Sequence, residues 1–414
     1  MGSNLNKKNI DFDIIENGSI TSVPGFYASA CHCGLKSSGK PDICIIHSPG
    51  GSTCSGIFTT NKFRAAPVII TKKQLEKTKN IKAIIINSGI ANACNGKKGY
   101  ENTLKTIDIA ANQLDIDKKN ILISSTGVIG KQLPMEKIEK GISKCAGILS
   151  VDGGHNAAKA ILTTDLVTKE IAVKIKTVSG EDIIIGGMAK GSGMIEPNMA
   201  TLLVFITTNV KISGKLLDSL LLEEAAKSFN HITVDGCQST NDMAIVMANS
   251  KSNAVLDNKT SKYYKEFKKA FSYVMKDLSR KIILDGEGAT KLIEIKIVNV
   301  KKKADAKILA FKVANSNLFK TAMFGQDLNW GRINSALGSA ECDFDPDKVN
   351  IYIEDVLVVK NGVGVDFDRK HTDKIMKEKE IKFTVDLNSG KEEFNVLTAD
   401  LSIDYVKINA LYRT

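Results

Sequence analysis

Hydrophobic and polar residues follow two different rhythms along this chain. Short apolar runs are typical of strands, whereas longer stretches with apolar residues three and four apart are typical of amphipathic helices. The predicted strands cover 67–73, 81–87, 120–126, 201–210, 349–359 and 380–387, and 169–188 is predicted to be a hairpin turning at Ser179-Gly180. The predicted helices cover 100–114, 134–149, 155–162, 213–232 and 260–283. Because the two kinds of element alternate, we predict an α/β or α+β fold whose sheets are covered by helices.

The stretch AKGSGMIEPNMATLLVF (189–205) changes abruptly from a loop of small residues to an apolar run that begins at Thr201. Thr201 can be interpreted as a β-branched residue that opens a strand, and the local pattern alone favours this interpretation. The alternative is an N-terminal nucleophile, made by cutting the chain after a small residue, here Ala200. Its own α-amine, with a pKa of about 7.7 to 8.0 in peptides, would be the base for its hydroxyl.

Composition and charge narrow the class of protein. The chain has 414 residues, of which 43% are hydrophobic and 25% charged, as in globular proteins. It shows neither an apolar stretch of membrane-spanning length nor the apolar core of a secretory signal, so we expect a cytoplasmic protein with no membrane partner. The net charge is +11, but the lysines are spread along the chain and no nucleic-acid motif is present. We therefore expect no nucleic acid, and anionic small substrates fit the charge.

The cysteines and the standard catalytic motifs exclude several kinds of site. Eight scattered cysteines, mostly in apolar stretches, indicate reduced and packed thiols. Cys31-His32-Cys33 has no second pair of ligands at zinc spacing, so we expect no metal. The sequence also lacks a phosphate-binding P-loop, a dinucleotide-binding glycine motif, a nucleophile elbow and a zinc-protease helix motif.

Six segments rich in Gly, Asn, Ser and Thr follow or interrupt the apolar runs. They are 87–96, 124–130, 162–165, 235–242, 285–291 and 324–333. Such loops usually only turn the chain, but six together indicate a site built from many loops on one scaffold.

Nine segments of the chain are similar, in order, to the ornithine acetyltransferase (glutamate N-acetyltransferase) family of arginine biosynthesis. They are GIFTTNKFRAAPV (56–68), NSGIANACNG (87–96), SSTGVIGKQLPM (124–135), TTD (163–165), AKGSGMIEPNMATLL (189–203), STNDM (239–243), DGEGATK (285–291), KTAMFGQDLNWGRI (320–333) and DYVKINALYRT (404–414). The resemblance therefore spans nearly the whole chain.

The resemblance implies a self-cleaving precursor and a particular fold. The cut would lie between Ala200 and Thr201 and would give an α chain, 1–200, and a β chain, 201–414, intertwined in one unit and assembled as α2β2. The implied fold is a layered αββα sandwich of the kind found in self-cleaving aminopeptidases, with a smaller C-terminal α+β region.

The resemblance also implies the reaction. Thr201 would attack the acetyl group of N-acetylornithine, while the Thr126 hydroxyl and the Gly127 N–H stabilise the oxyanion. Ornithine would leave an acetyl-Thr201 ester, and glutamate would then take the acetyl group to give N-acetylglutamate in a ping-pong transfer. No cofactor is implied, although acetyl-CoA is a candidate second acetyl donor.

The substrate contacts implied by the resemblance are Thr164, Lys190, Thr201, Glu287, Asn409 and Thr414. Charge pairing assigns Lys190 to a carboxylate and Glu287 to an ammonium. The alternatives are a solvated loop lysine and a structural glutamate, and Thr163 competes with Thr164. The pair Cys237-Gln238 stands where the family pattern leads us to expect an acidic or hydroxyl residue, which leaves a different acetyl acceptor open.

Two other classes of function remain open from the sequence. A self-cleaving amidohydrolase or aminopeptidase would use the same Thr201 nucleophile but let water remove the acyl group. A binding protein that keeps the fold without catalysis would remain uncleaved.

Overall fold

The computed structural model describes residues 11–178, 180–196 and 202–411. Ser179, Ala200, Thr201 and Thr414, which carry sequence predictions, lie outside the described residues. The strands are β1 (Asp13–Ile15), β2 (Tyr27–Cys31), β3 (Ile43–Phe58), β4 (Asn80–Asn87), β5 (Ile121–Ser125), β6 (Lys169–Ile175), β7 (Ile183–Lys190), β8 (Leu203–Thr208), β9 (Lys211–Ile212), β10 (Ile232–Thr233), β11 (Met243–Ala248), β12 (Val255–Leu256), β13 (Leu292–Val300), β14 (Asn350–Ile353), β15 (Val356–Lys360), β16 (Val363–Gly364), β17 (Glu380–Asp386) and β18 (Glu392–Ala399). The helices are α1 (Ala66–Lys77), α2 (Gly96–Leu114), α3 (Met135–Gly147), α4 (Gly154–Ala160), α5 (Gly214–Ala225), α6 (Tyr264–Leu284), α7 (Lys303–Ala314), α8 (Asn317–Phe324), α9 (Trp330–Gly338), α10 (Arg369–Lys377) and α11 (Ile403–Leu411).

The long strand β3 divides a nine-stranded sheet into two halves. The strand order is β1-β6-β7-β8-β11-β3-β4-β5, and β2 also pairs with β3. Residues 43–47 of β3 pair with β2 and β4, whereas residues 53–58 pair with β11. The register shifts between His47 and Ser52. Strand β3 thus joins a first half-sheet (β2, the start of β3, β4 and β5) to a second half-sheet (the end of β3, β11, β8, β7, β6 and β1).

Alternating side chains of the second half-sheet enter two different cores. In β8, Val204 and Ile206 belong to a core that contains the buried faces of α5 and α6. Leu203 and Phe205, on the other face of β8, belong to a core shared with the first half-sheet. This is the period of two that a strand imposes on a sheet buried on both faces.

The first half-sheet repeats this arrangement in mirror order. In β4, Ala83 and Ile85 pack in a core with α2 and α3. Ile84 and Ile86 instead enter the shared core. The layers are therefore helices, first half-sheet, second half-sheet and helices, and the prediction of an αββα sandwich is confirmed.

The C-terminal part of the chain forms a second sheet, in the order β10-β18-β13-β17-β14-β15-β16, with its own core. Leu309 of α7, Phe319 of α8 and Ile333 of α9 are fully buried or nearly so in this core. This is the smaller α+β region that was predicted. No helix in the described ranges is long and apolar enough to cross a membrane.

Three predicted elements differ from the structure. The run 67–73 is not a strand but lies in α1, because Pro67 starts a helix and Val68, Thr71 and Leu75 share one buried face at helical spacing. The run 349–359 is a hairpin, β14 and β15, that turns at Glu354, which has a φ of 50°. The helix predicted over 213–232 ends at Ala225, and its last predicted residue belongs to β10.

A buried lysine ties the start of β6 to two loops that follow helices. The fully buried Lys169 Nζ lies 2.7 Å from Asp165 Oδ1 and 2.5 Å from Asp285 Oδ2. Asp165 also accepts hydrogen bonds from Gly191 N, at 2.8 Å, and Thr163 N, at 3.0 Å. Burial raises the pKa of Asp165, but the charges of Lys190 and Lys169 and these hydrogen bonds outweigh it and hold the pKa below its ordinary value.

We predict that Lys169→Met lowers the free energy of unfolding by about 3–5 kcal/mol, because two buried carboxylates lose their common cation. The measurement is urea denaturation followed by circular dichroism. Lys174→Met on the same strand is the matched control, since its Nζ lies 3.8 Å from Asp182 and both side chains are partly exposed. That control should cost about 0–1 kcal/mol. Equal costs for the two variants would contradict a structural role for the buried cluster.

Candidate active site

A cavity of about 170 Å³ lies where the two half-sheets meet. Its walls come from the loop after β5, the end of β7, the start of β8, the loop before β11, the loop after α6 and helix α11. The residues that line it are Thr126, Gly127, Ile129, Thr163, Thr164, Lys190, Gly193, Met194, Ile195, Leu202, Leu203, Asp235, Cys237, Ser239, Thr240, Asn241, Asp242, Glu287, Tyr405 and Asn409.

Six residues that the sequence analysis singled out line this one cavity: Thr126, Gly127, Thr164, Lys190, Glu287 and Asn409. Thr163 lines it as well, so both candidates for one substrate contact are present. Of the other predicted residues, Ala200, Thr201 and Thr414 lie outside the described residues. Leu202, which follows Thr201 in the sequence, is part of the wall.

The loop Thr126-Gly127 presents two hydrogen-bond donors to the cavity. Thr126 N donates to Asn87 O at 3.0 Å and Val128 N donates to Gly89 O at 3.3 Å, which fixes the backbone on both sides of Gly127. Between them, the Gly127 N–H and the Thr126 hydroxyl donate no hydrogen bond to any described residue. Two donors held in place without a partner could bind an oxygen atom that carries negative charge.

Only glycine fits at position 127. Its φ is +125°, which side chains rarely allow, and a Cβ there would lie 2.3 Å from the carbonyl carbon of Gly89. The close approach to Gly89 therefore sets where the Gly127 N–H points.

Asn241 fastens this loop to the second half-sheet, a role that sequence reasoning missed. Its Nδ2 donates to Ala91 O at 2.6 Å and to Ser125 O at 2.8 Å, and the side chain is buried. Two residues further on, Met243 N donates to Leu202 O at 3.0 Å. Asn241 thus links the end of β5 to the start of β8. The sequence flagged the polar loop 235–242 but contained no signal for which residue is buried.

Lys190 supplies a buried positive charge. It is the last residue of β7 and is buried, so the alternative of a solvated loop lysine is wrong. Its Nζ has no hydrogen bond or ion pair with any residue in the described ranges. The ammonium acts on Asp165 and Asp242 only at longer range, where it lowers the pKa of each, so its hydrogen-bond donors remain available for a carboxylate.

Glu287 supplies the opposite charge on another wall of the cavity. It is buried, its N–H donates to Ser192 O at 3.0 Å, and Asn409 Nδ2 donates to its Oε2 at 2.7 Å. Asn409 lies on α11 and also donates to Tyr405 O at 3.0 Å, so this part of the C-terminus is built into the site. Glu287 makes no ion pair with the part of the chain described, and the cavity can therefore receive both a carboxylate and an ammonium.

Asp235 holds the segment that precedes the predicted cleavage point. Its carboxylate accepts hydrogen bonds from Met194 N at 2.7 Å and Ile195 N at 2.9 Å, and Tyr405 Oη lies 3.3 Å away. Burial and the charge of Asp235 raise the pKa of Cys237, so this thiol is neutral at pH 7 and not an activated nucleophile. Its neighbour Gln238 does not line the cavity and donates instead to Thr60 Oγ1 at 2.8 Å.

Cys31 and His32 make contacts in two different directions. Cys31 Sγ lies 3.4 Å from Cys145 Sγ, while His32 Nδ1 contacts Lys40 O at 3.1 Å. Within the residues that the structure describes, no group of three or more His, Cys, Asp or Glu side chains could hold a metal ion.

Comparisons with known proteins identify relatives over nearly the full length of the chain. The sequence model of the ArgJ family matches residues 27–414. A protein of Caldanaerobacter subterraneus named arginine biosynthesis bifunctional protein ArgJ is 46% identical over 404 residues, which cover 97% of this chain and 100% of the relative. One of the same name from Oceanobacillus iheyensis is 42% identical over 404 residues, 98% of either chain.

Solved structures with sequence similarity include an ornithine acetyltransferase of Mycobacterium tuberculosis complexed with ornithine. It is 34% identical, with a TM-score of 0.43, and the match covers 46% of this chain and 100% of that one. An arginine biosynthesis bifunctional protein ArgJ of Bacillus halodurans is 38% identical with the same TM-score of 0.43, over 46% of this chain and 98% of that one.

We predict that Gly127→Ala destabilises the chain by more than Gly130→Ala, the matched control. A methyl group at either position faces an unfavourable positive φ, worth about 1–2 kcal/mol. At Gly127 it also overlaps backbone, whereas no atom lies within 4 Å at Gly130. Thermal unfolding of both variants measures the difference. Equal stability of the two variants would show that the loop relaxes freely and does not hold the Gly127 N–H.

Proposed function

Because the chain belongs to the ArgJ family, we propose that it is an acetyltransferase of arginine biosynthesis that moves the acetyl group of N-acetylornithine to glutamate. The observation that carries this proposal is the cavity itself. It combines two donors, at Thr126 and Gly127, that have no acceptor among the described residues with the buried ammonium of Lys190 and the carboxylate of Glu287. These are the groups needed to hold an oxyanion and an amino acid that carries both signs of charge.

The nucleophile in this proposal is Thr201, made by self-cleavage between Ala200 and Thr201. Cleavage would give chains 1–200 and 201–414, which stay intertwined because β7 and β8 are neighbours in one sheet. Support comes from Leu202, the next residue along the chain, which lines the same cavity as the two donors. The same donors would serve the cleavage, since it also passes through a tetrahedral oxyanion.

The proposed reaction has two half-steps. The α-amine of Thr201 takes the hydroxyl proton, and Oγ attacks the acetyl carbon while Thr126 and Gly127 stabilise the oxyanion. The proton then passes to the nitrogen of the leaving ornithine, and the acetyl group remains as an ester. The amine of glutamate attacks this ester in the reverse sequence, and N-acetylglutamate leaves. No cofactor takes part in this proposal.

The substrate contacts follow from charge. Lys190 would bind a carboxylate, and Glu287, oriented by Asn409, would bind an ammonium of ornithine. Thr164 or Thr163 would contribute a hydroxyl, and Thr414 remains a proposed contact. We further propose an α2β2 assembly in the cytoplasm. Acetyl-CoA is proposed as a second acetyl donor, which accords with the word bifunctional in the names of the relatives.

The test is acetyl transfer from N-acetylornithine to glutamate by wild type and Thr201→Ala, with acetyl-CoA assayed in parallel. Wild type should run as two fragments on a denaturing gel and transfer acetyl, and the variant should remain one chain without activity. Rapid acetate release without glutamate would instead favour an amidohydrolase. Transfer only to another amine would indicate a different acceptor. A variant that still cleaves and turns over would refute the assignment of the nucleophile.

We predict that Thr126→Val lowers kcat by about 10²–10³, because the oxyanion loses one donor while the shape of the side chain is kept. KM for N-acetylornithine should change little, since this hydroxyl acts on the transition state. Steady-state kinetics measure both constants, with rates divided by the amount of cleaved chain on a denaturing gel, because the same hydroxyl would also serve the cleavage. Thr126→Ser, which keeps the hydroxyl, is the matched control and should retain most of the activity.

A further inference from the structure

A second cavity, of about 640 Å³, lies beside the candidate active site. Four lysines line this lysine pocket: Lys36, Lys40, Lys131 and Lys159. They come from three parts of the chain, namely the loop after β2, the loop after β5 and helix α4. Ligand pockets measure about 300–1,000 Å³, so the volume suits a small organic molecule. Its concentration of positive charge suits an anion.

The charge of the lysine pocket is not neutralised within the described ranges. Asp165 is the acid among the lining residues, and its Oδ1 already lies 2.7 Å from the Nζ of the buried Lys169. The side chains of Lys40, Lys131 and Lys159 are exposed and form no ion pair with any residue that the structure describes. Their ammonium groups are therefore available to a ligand.

Lys36 is partly buried in the wall of the lysine pocket. Its Nζ donates to Pro41 O at 2.9 Å and to Ala160 O at 3.2 Å, and both acceptors are neutral carbonyls. Burial lowers the pKa of Lys36 to about 8, and the charges of Asp42 and Asp165 offset this only in part. An ammonium has three hydrogens, so a bound anion could accept the third one and favour the charged form.

The loop that carries Lys36 and Lys40 is folded around a buried carboxylate. Asp42 is fully buried, and its carboxylate accepts hydrogen bonds from the backbone N–H groups of residues 33–36 at 2.7 to 3.1 Å. The Asp42 carbonyl accepts a further hydrogen bond, from Ser88 N at 2.9 Å. This wall of the lysine pocket is thus held in place by the chain itself.

Two loops separate the lysine pocket from the active-site cavity. In the loop after β5, Val128 lines the lysine pocket, whereas Gly127 and Ile129 line the active-site cavity. In the loop after α4, Thr163 lines both cavities. A ligand long enough to pass Thr163 would therefore occupy both.

Resting on the proposed function, we propose that the lysine pocket holds the phosphate groups of coenzyme A when acetyl-CoA is the acetyl donor, with the thioester arm passing Thr163 into the active-site cavity. Coenzyme A is a group carrier with phosphates on its nucleotide end and the acyl thioester at the other end. Lysine is a common partner of phosphate. Leu166, which lines the lysine pocket and is 84% exposed, offers apolar surface to the rest of the ligand.

The experiment is a calorimetric titration of the full chain with coenzyme A, comparing wild type with the double variant Lys40→Gln/Lys159→Gln. The variant should raise the Kd of coenzyme A by about 10- to 100-fold, because charge-assisted contacts to phosphate are lost. KM for acetyl-CoA in the acetylation of glutamate should rise by the same factor. KM for N-acetylornithine, which has no phosphate, should not change.

The matched control is Lys72→Gln/Lys105→Gln. It removes the same amount of charge from two exposed lysines that line neither cavity. Distant exposed charges are largely screened by salt, so the Kd of coenzyme A should change by about twofold or less. ADP is titrated in parallel, because a free nucleotide carries the same phosphate chemistry and is the other source of such a ligand.

Three results would overturn the inference. Equal Kd values of coenzyme A for the test and control variants would show that overall charge, and not the lysine pocket, attracts it. ADP binding that Lys40→Gln/Lys159→Gln weakens, without any acetylation by acetyl-CoA, would make the pocket an effector site. A wild type that transfers acetyl from N-acetylornithine but does not bind coenzyme A would refute this inference alone. Transfer from neither donor would refute the proposed function, and the titration with coenzyme A is independent of that result.

Discussion

The organisation of this protein depends on one strand that belongs to two half-sheets. Strand β3 pairs with β2 and β4 at its start and with β11 at its end, so a single sheet is folded on itself around a shared apolar core. The end of β5 then meets the starts of β8 and β11, although these segments are far apart in the sequence. Asn241 bonds the two half-sheets at this junction, and the cavity forms beside it.

The buried charged groups near the cavity are of two kinds: those with hydrogen-bond or ion-pair partners, and those without such partners among the described residues. Asp165, Lys169 and Asp235 are satisfied by ion pairs and backbone amides, and they hold the loops in place. Lys190 makes no hydrogen bond or ion pair within the described ranges, and Asp242 Oδ2 has no hydrogen-bond partner there. Such buried groups cost free energy unless a ligand supplies the missing partner.

Secondary-structure elements were predicted correctly where the local pattern of residues determines them. They were predicted wrongly where packing against distant parts of the chain determines whether a run forms a strand or a helix. The continuous apolar runs in 81–87 and 201–210 correctly predicted strands, which the structure has at Asn80–Asn87 and Leu203–Thr208, and the helices predicted over 100–114 and 134–149 are present. The run 67–73 was wrongly predicted as a strand, because β-branched residues are common in strands, but a buried helical face accepts them equally. Six of the residues transferred by resemblance meet in one cavity, while Ala200, Thr201 and Thr414 lie outside the described residues. Asn241 and Asp242 were recognised only as part of a polar loop.

The sequence by itself determined the type of most elements, the family and the group of polar loops that build the site. These depend on neighbours along the chain and on residue types in order. Only the tertiary structure decided that Lys190 is buried, that Asn241 joins two half-sheets and that one oxygen of Asp242 has no described partner. The reason is physical: burial and the satisfaction of a polar atom depend on which distant strands pack against it, and no local pattern records that.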